Sequence, residues 1–395
     1  MIIKPRIRGF ICTTAHPVGC AALIDEQIRY TEGQGKLSAG PRNVLVIGGS
    51  GGYGLASRIV AGFAGGAKTL CLSFEKEPDA ERTASAGWYN NLAFDRAAKA
   101  KGLYARSLNA DAFADATKAQ VADIVRQDLG KIDLLVYSLA SPVRMDPDTG
   151  VLHRSVIKPV GRNVVSKTVN VDKGVVSEVD LPPATPEEIQ ATIKVMGGED
   201  WQRWIAHLQA AGLLSDGFKT VAYTYIGSDL TWPIYWEATL GKAKEDLDRA
   251  AGEIRQAIAP LSGDARVAVL KAVVTQASSA IPVVPLYASI VFKVMKEMSL
   301  HEEIIQHIDR MFRTQIYGGK PLFDDVGRLR LDDWELREDV QAEVRQRWAR
   351  IDTENVMALS DLEGFRRDFL KIFGFEANGV DYDADVSPLY LTDQG

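Results

Sequence analysis

The segment YTYIGSDLTWPIYWEATLGKAKEDL (223–247) sets Tyr225, Tyr235, Lys242 and Lys244 close together along the chain. A phenol can hydrogen-bond a substrate carbonyl oxygen as negative charge builds there, and a nearby ammonium can hold a ribose hydroxyl and favour phenolate character. Singly, such residues are mostly structural. The pairing gains meaning from a second motif, LVIGGSGGYGLASR (45–58). There Gly49-x-Gly51-x-x-Gly54 satisfies the dinucleotide fingerprint, and Gly48-x-x-x-Gly52-x-Gly54 has the wider spacing of short-chain reductases. An apolar run precedes the loop and a helical pattern follows it. In that context the glycines let a pyrophosphate approach a helix N-terminus. Gly48, Gly49, Ser50, Gly51, Gly52 and Tyr53 form the expected cradle. No Gly-Lys-Ser/Thr ending follows, which argues against an NTPase loop.

The rest of a dinucleotide site is sought at the strand ends. Phe74-Glu75 closes the second strand, where a carboxylate accepts from the adenosine ribose hydroxyls and repels a 2′-phosphate, favouring NADH over NADPH. Lys76 beside it would tolerate the phosphate, and a plain surface Glu is the alternative. Asp111, followed by Ala112, is placed to accept from the adenine amino group or to cap a helix. Leu139 and Ala140 end the fourth strand, where the middle of the cofactor would lie. The tyrosine–lysine pair poses a problem of helix geometry. Nine steps of about 100° put Tyr235 and Lys244 on opposite faces of a regular helix, whereas Lys242 shares the face of Tyr235. Either Tyr235 precedes the regular helix, as Pro233 suggests, or the helix is distorted near Gly241, or Lys242 is the partner.

These residues need a scaffold, and the first half of the chain alternates strand-like and helix-like segments. Strands are expected at 43–48, 68–74, 104–111, 132–140, 219–227 and 265–275. Helices are expected at 55–64, 81–102, 115–130 and within 237–258. Such alternation predicts an α/β fold, a Rossmann-like doubly wound parallel sheet of the short-chain reductase type. Two regions elaborate it. Residues 145–200 contain GRNVVSKTVNVDKGVVSEVDLPP, which reads as a β-hairpin insertion turning at Asp172-Lys173-Gly174. The segment from about 300 to 395 is charged and helical. No repeat or linker divides the chain, so one elaborated domain over 1–395 is expected. In 278–295, Ile281, Val284, Leu286, Ile290, Val291 and Met295 offer an apolar wall for an acyl tail or simply core.

Bulk composition excludes several classes. The 395 residues carry a net charge of −6, with 46% hydrophobic and 25% charged residues, so no basic excess exists to bind nucleic acid. Cys12, Cys20 and Cys71 show no CxxC spacing and read as reduced thiols. Five scattered histidines suggest no metal site. No stretch approaches a membrane span, and a cytoplasmic location is expected.

The runs KPRIRGFICTTAHPVGC, YTYIG, TWPIYWEATLGKAK, KAVVTQASSAIP and FGFEANGVDYDADV, with the glycine loop, extend over the whole chain. In them the sequence resembles the FabV-type enoyl-[acyl-carrier-protein] reductases and their relatives acting on enoyl-CoA. The family is characterised by Tyr-x8-Lys, here Tyr235 and Lys244. The resemblance implies Tyr235 as catalytic acid, Lys244 as cofactor ligand, Tyr225 as a substrate contact, and Val273, Val274 and Thr275 at the nicotinamide end. It implies NADH-dependent reduction of the trans-2 double bond of enoyl thioesters, the last step of fatty acid elongation. Acyl carrier protein would be a transient partner and the chain a monomer; the residues do not choose between that carrier and coenzyme A. Two rivals stand beside this reading. A short-chain ketone or aldehyde reductase would want a lysine four residues after the tyrosine, and position 239 is Thr. A dinucleotide-sensing protein without turnover would need no phenol at all.

Overall fold

A computed structural model describes residues 1–9 and 11–390. Seven strands form its main sheet: β1 (Asn43–Ile47), β2 (Lys68–Ser73), β3 (Ala105–Asn109), β4 (Ile132–Tyr137), β5 (Leu214–Thr224), β6 (Asp264–Val269) and β7 (Leu329–Arg330). They pair in the order β3-β2-β1-β4-β5-β6-β7, every pairing parallel. Val44, Leu45, Val46 and Ile47 of β1 are fully buried, the mark of a central parallel strand covered on both faces. The order reverses between β1 and β4. A doubly wound sheet opens its ligand crevice there, outside the carboxyl ends of the strands. This is the Rossmann-like sheet that the alternation predicts.

Helices cover both faces. On one side Gly52–Ile59 and Ile304–Met311 pack over Val46, Leu134 and Val221. On the other, Glu199–Ala210 and Thr239–Ala257 bury Trp201, Trp204 and Leu247 over Leu45 and Leu135. Each large apolar side chain so buried contributes about 1.5–3 kcal/mol. The helices expected at 55–64 and 115–130 end in π-helical turns, Val60–Ala64 and Val125–Leu129. The strand expected over 265–275 stops at Val269, and 270–275 leave the sheet as irregular backbone.

The hairpin insertion pairs Val164–Asn170 with Val175–Leu181 and turns at the anticipated Asp172-Lys173-Gly174. A second hairpin, Val143–Met145 with Leu152–Arg154, was not legible in the sequence. The tail is more than helices, because it supplies β7, the edge strand of the sheet. Its helices Glu338–Arg350 and Leu362–Lys371 pack on Val284–Glu297 in a cluster that also takes in Ile3 and Val386. That packing divides the apolar stripe between its two readings. Leu286, Ile290, Val291 and Met295 are sealed in this cluster, while Ile281 and Val284 join a smaller one around Tyr235.

Candidate active site

The glycine loop leaves the carboxyl end of β1 and enters the helix Gly52–Ile59. Gly48 has φ +80°, and a Cβ there would lie 2.3 Å from the Ser138 carbonyl oxygen at the end of β4, so only glycine fits. Gly51, the helix N-cap, has no side-chain cap, and a Cβ there would meet nothing within 4 Å. Open space therefore faces uncapped N–H groups at the positive end of a helix, a donor set suited to a diphosphate. The residues fit a dinucleotide. Tyr53 turns its phenol inward onto the Lys271 carbonyl oxygen (2.6 Å), so what it can offer an anion is its backbone N–H.

At the end of β2, Phe74 is exposed and Glu75 is partly buried. The Glu75 carboxylate accepts from Ser50 Oγ of the glycine loop and from Ser85 Oγ, both at 2.5 Å. It is therefore tied to the cradle. Asp111 accepts from the Phe113 N–H and does not cap the following helix, whose N-cap is Ala114. Ala112 beside it is buried, and its carbonyl, like that of Phe113, accepts from Lys118 Nζ. Lys118 is itself paired with Asp200 inside the protein at 2.8 Å. Leu139 and the exposed Ala140 follow β4 beside the loop. Thr275 reaches the same crevice from β6, since its Cγ2 lies 3.5 Å from where a Gly52 Cβ would be. Val273 and Val274 before it are buried.

Beyond β5 the chain makes a short 3-10 turn, Trp232–Ile234, and the regular helix starts only at Thr239. Tyr235 thus precedes the helix, which resolves the spacing problem. The Gly241 N–H bonds back to the Tyr235 carbonyl (2.8 Å), and a Cβ at Gly241 would sit 1.8 Å from the Trp236 carbonyl oxygen. Lys242 projects outward and pairs with Glu245 at 2.9 Å. Lys244 lies on the inward side, where Nζ donates to the Tyr223 carbonyl at 3.3 Å. Burial pushes its ammonium down to about 8, against the pull of Asp248. Tyr235 is 8% exposed and burial pushes its phenol up, so it stands as a neutral donor without the anticipated phenolate character. Its ring meets Tyr225 edge-on at 5.1 Å, with Ile281, Val284 and Val164 of the hairpin around it.

One participant came from nowhere in the sequence patterns. Glu335 of the tail is buried and accepts from Tyr225 and Tyr287, each at 3.0 Å, and from the Ala272 N–H at 2.6 Å. It lies in a run of charges, DDWELRED, that reads as a solvated face.

Comparison with known proteins bears on this arrangement. A family model described as the trans-2-enoyl-CoA reductase catalytic region matches residues 82–317, and one for the NAD(P)H binding domain of the same enzymes matches 2–80. The chain belongs to the trans-2-enoyl-CoA reductase family. A third model, described as an enoyl reductase FAD binding domain, matches 323–386; that stretch supplies β7, Glu335 and the two tail helices. Among relatives, the enoyl-[acyl-carrier-protein] reductase [NADH] of Edwardsiella ictaluri is 56% identical over 388 residues, covering 98% of both chains. The FabV enzyme of Aeromonas salmonicida, of the same description, is also 56% identical with the same coverage. The trans-2-enoyl-CoA reductase of Treponema denticola, solved with NAD, superposes with a TM-score of 0.94 at 47% identity, covering 98% of each chain. That of Clostridium acetobutulicum, solved with NADH, gives 0.96 at 43% identity over 99% of each.

Proposed function

We propose that this member of the trans-2-enoyl-CoA reductase family reduces the trans-2 double bond of enoyl thioesters with NADH, giving saturated acyl thioesters. The observation that carries the reading is the buried phenol of Tyr235, held ahead of its helix and near enough to Tyr53 of the glycine loop to act on it electrostatically. The loop Gly48–Tyr53 would hold the diphosphate, Glu75 with Phe74 the adenosine ribose, and Asp111 with Ala112 the adenine. Leu139 and Ala140 would line the middle. Lys244 would hold the nicotinamide ribose, with Val273, Val274 and Thr275 around the ring. When bound, NADH supplies hydride for the β-carbon of the substrate, and a proton taken up from solvent at the α-carbon completes the saturated thioester.

Tyr235 then has one task. As charge builds on the thioester oxygen, its neutral phenol donates a hydrogen bond without bringing a competing positive charge. Ile281 and Val284 flank it and exclude water from the acyl chain. Acyl carrier protein is the preferred carrier in this reading, with coenzyme A competent; the names of the 56% identical relatives support it. We further read residues 1–395 as one domain, working as a cytoplasmic monomer. In support, one core cluster joins Ile3, Tyr287 and Val386, and among the described residues no helix is long and apolar enough to cross a membrane.

The test is NADH oxidation with one enoyl group carried on coenzyme A and on acyl carrier protein. Tyr235→Phe is expected to lower turnover by about 100-fold or more while NADH binding stays close to wild type. Wild-type turnover in that variant would remove the tyrosine from the chemistry.

A further inference from the structure

We propose that Glu335 is a positioning residue that fixes the hydroxyl of Tyr225, leaving Tyr235 as the only phenol that donates to the substrate. This inference rests on the reductase reading above. Its basis is the count of protons around one buried carboxyl group. Oε2 of Glu335 receives the Ala272 N–H at 2.6 Å, and a backbone N–H can only donate. Oε1 faces two phenols, Tyr225 and Tyr287, each at 3.0 Å. Tyr287 already accepts from Gln341 Nε2 at 3.1 Å, which leaves its own proton for Glu335. The same amide nitrogen donates to the Glu335 carbonyl at 2.7 Å and holds that residue's backbone in place.

An ionised Glu335 satisfies all three donors at once. A protonated one would compete with them, and one phenol would have to turn its hydrogen elsewhere. Burial raises Glu335, while the Ala272 N–H, the charge of Lys271 and the two phenols favour its ionised form. Lys271 stands close by with its ammonium held by the Ala272 and Glu302 carbonyls, at 2.9 and 3.0 Å. The hydrogen of Tyr225 is therefore spent on Glu335. What Tyr225 offers the pocket is its ring edge against Tyr235 and an oxygen that accepts.

The geometry has a second consequence. The carboxylate ties Tyr225, just past β5, to Ala272, which immediately precedes Val273–Thr275 beyond β6. One side chain of the tail thus fixes the separation between the tyrosine wall and the segment assigned to the nicotinamide end.

Glu335→Gln puts this to the test in the full-length enzyme with NADH and crotonyl-CoA. The amide oxygen must face the Ala272 N–H, so the NH2 group faces both phenols, breaks the bond from Tyr225 and releases the tyrosine wall from the Ala272 segment. The expected result is a fall in kcat of about tenfold or more, with NADH affinity and KM within about twofold of wild type. Tyr225→Phe also lowers kcat, because it removes the donor through which the Glu335 carboxylate ties the tyrosine wall to Ala272. The double variant is no slower than the slower single one, because the two residues act as a unit. Additive losses, or a wild-type kcat in Glu335→Gln, would overturn the proposal. If Glu335→Gln does not fold, 3-fluorotyrosine placed at Tyr225 answers by fluorine NMR. Fluorine makes the phenol more acidic, so an exposed 3-fluorotyrosine ionises below the value of about 10 of an ordinary tyrosine. A fluorophenol donating to a buried carboxylate stays silent there, and a titration in that range sinks the idea. The wild-type assay separates the two readings. No crotonyl-CoA-dependent NADH oxidation by the wild-type enzyme defeats the reductase assignment, whereas normal wild-type turnover together with an unaffected Glu335→Gln defeats only the role of Glu335.

Discussion

Replacing Lys244 by methionine should make the NADH-free protein more stable and its cofactor binding worse. Burial lowers the ammonium from 10.5 to about 8. At about 1.36 kcal/mol per unit, the folded protein holds this charge at a cost of about 3 kcal/mol wherever the group is protonated in both states. Methionine fills a similar volume without the charge. It forfeits the bond to the Tyr223 carbonyl, worth about 1 kcal/mol, so a net gain of about 2 kcal/mol is expected at pH 7. The sign with pH follows from proton counts. Below pH 8 both states are protonated and the full penalty applies; between 8 and 10.5 only the unfolded chain keeps the proton, so stability rises with pH. Lys271, also near 8, adds a second rise of the same sense. Denaturant midpoints of wild type, Lys244→Met and Lys242→Met at pH 7 and 9.5, with NADH affinity by fluorescence, provide the assay. Lys244→Met should start higher, rise less with pH and bind NADH at least about tenfold more weakly. Lys242→Met loses only an exposed ion pair, worth about 0–1 kcal/mol, and should bind NADH normally. A Lys244→Met protein that is several kcal/mol less stable, or that binds NADH as wild type does, would refute the reasoning.

Three further outcomes are expected. Gly51→Ala, whose Cβ meets open space on extended backbone, should unfold within about 1 kcal/mol of wild type yet lose NADH affinity in a binding titration; Gly48→Ala, which collides with Ser138, should fail to fold well. Lys118→Met strands the buried Asp200 and should cost about 3–5 kcal/mol in denaturant unfolding. Glu75→Ser removes the carboxylate that Ser50 and Ser85 now hold, and the ratio of NADPH-driven to NADH-driven turnover should rise.

How much of this could be read beforehand depends on the range of the interactions involved. The glycine loop, the parallel sheet and the hairpin rest on local patterns: β-branched runs, glycines at fixed offsets, a turn at Asp172-Lys173-Gly174. The tyrosine–lysine spacing was legible as a problem, and its resolution needed the 3-10 turn at Trp232–Ile234 and the reversal at Gly241. The apolar stripe 281–295 could not be divided from sequence, because the tail helices that bury Leu286 and Met295 lie far downstream. Glu335 was invisible for the same reason. Its partners Tyr225, Tyr287 and Ala272 are 110, 48 and 63 positions away, and nothing in its own neighbourhood distinguishes it from the acids beside it.

That separation has a bearing on how the protein is made. A nascent chain carries its cradle, Tyr235 and Lys244 well before the ribosome has translated β7 and the carboxylate that follows it. Until then Tyr225 and the irregular segment at Ala272 lack their common anchor. On the positioning role proposed for Glu335, a chain ending before it would hold the cradle and Tyr235 without the carboxylate that joins the two walls of the pocket.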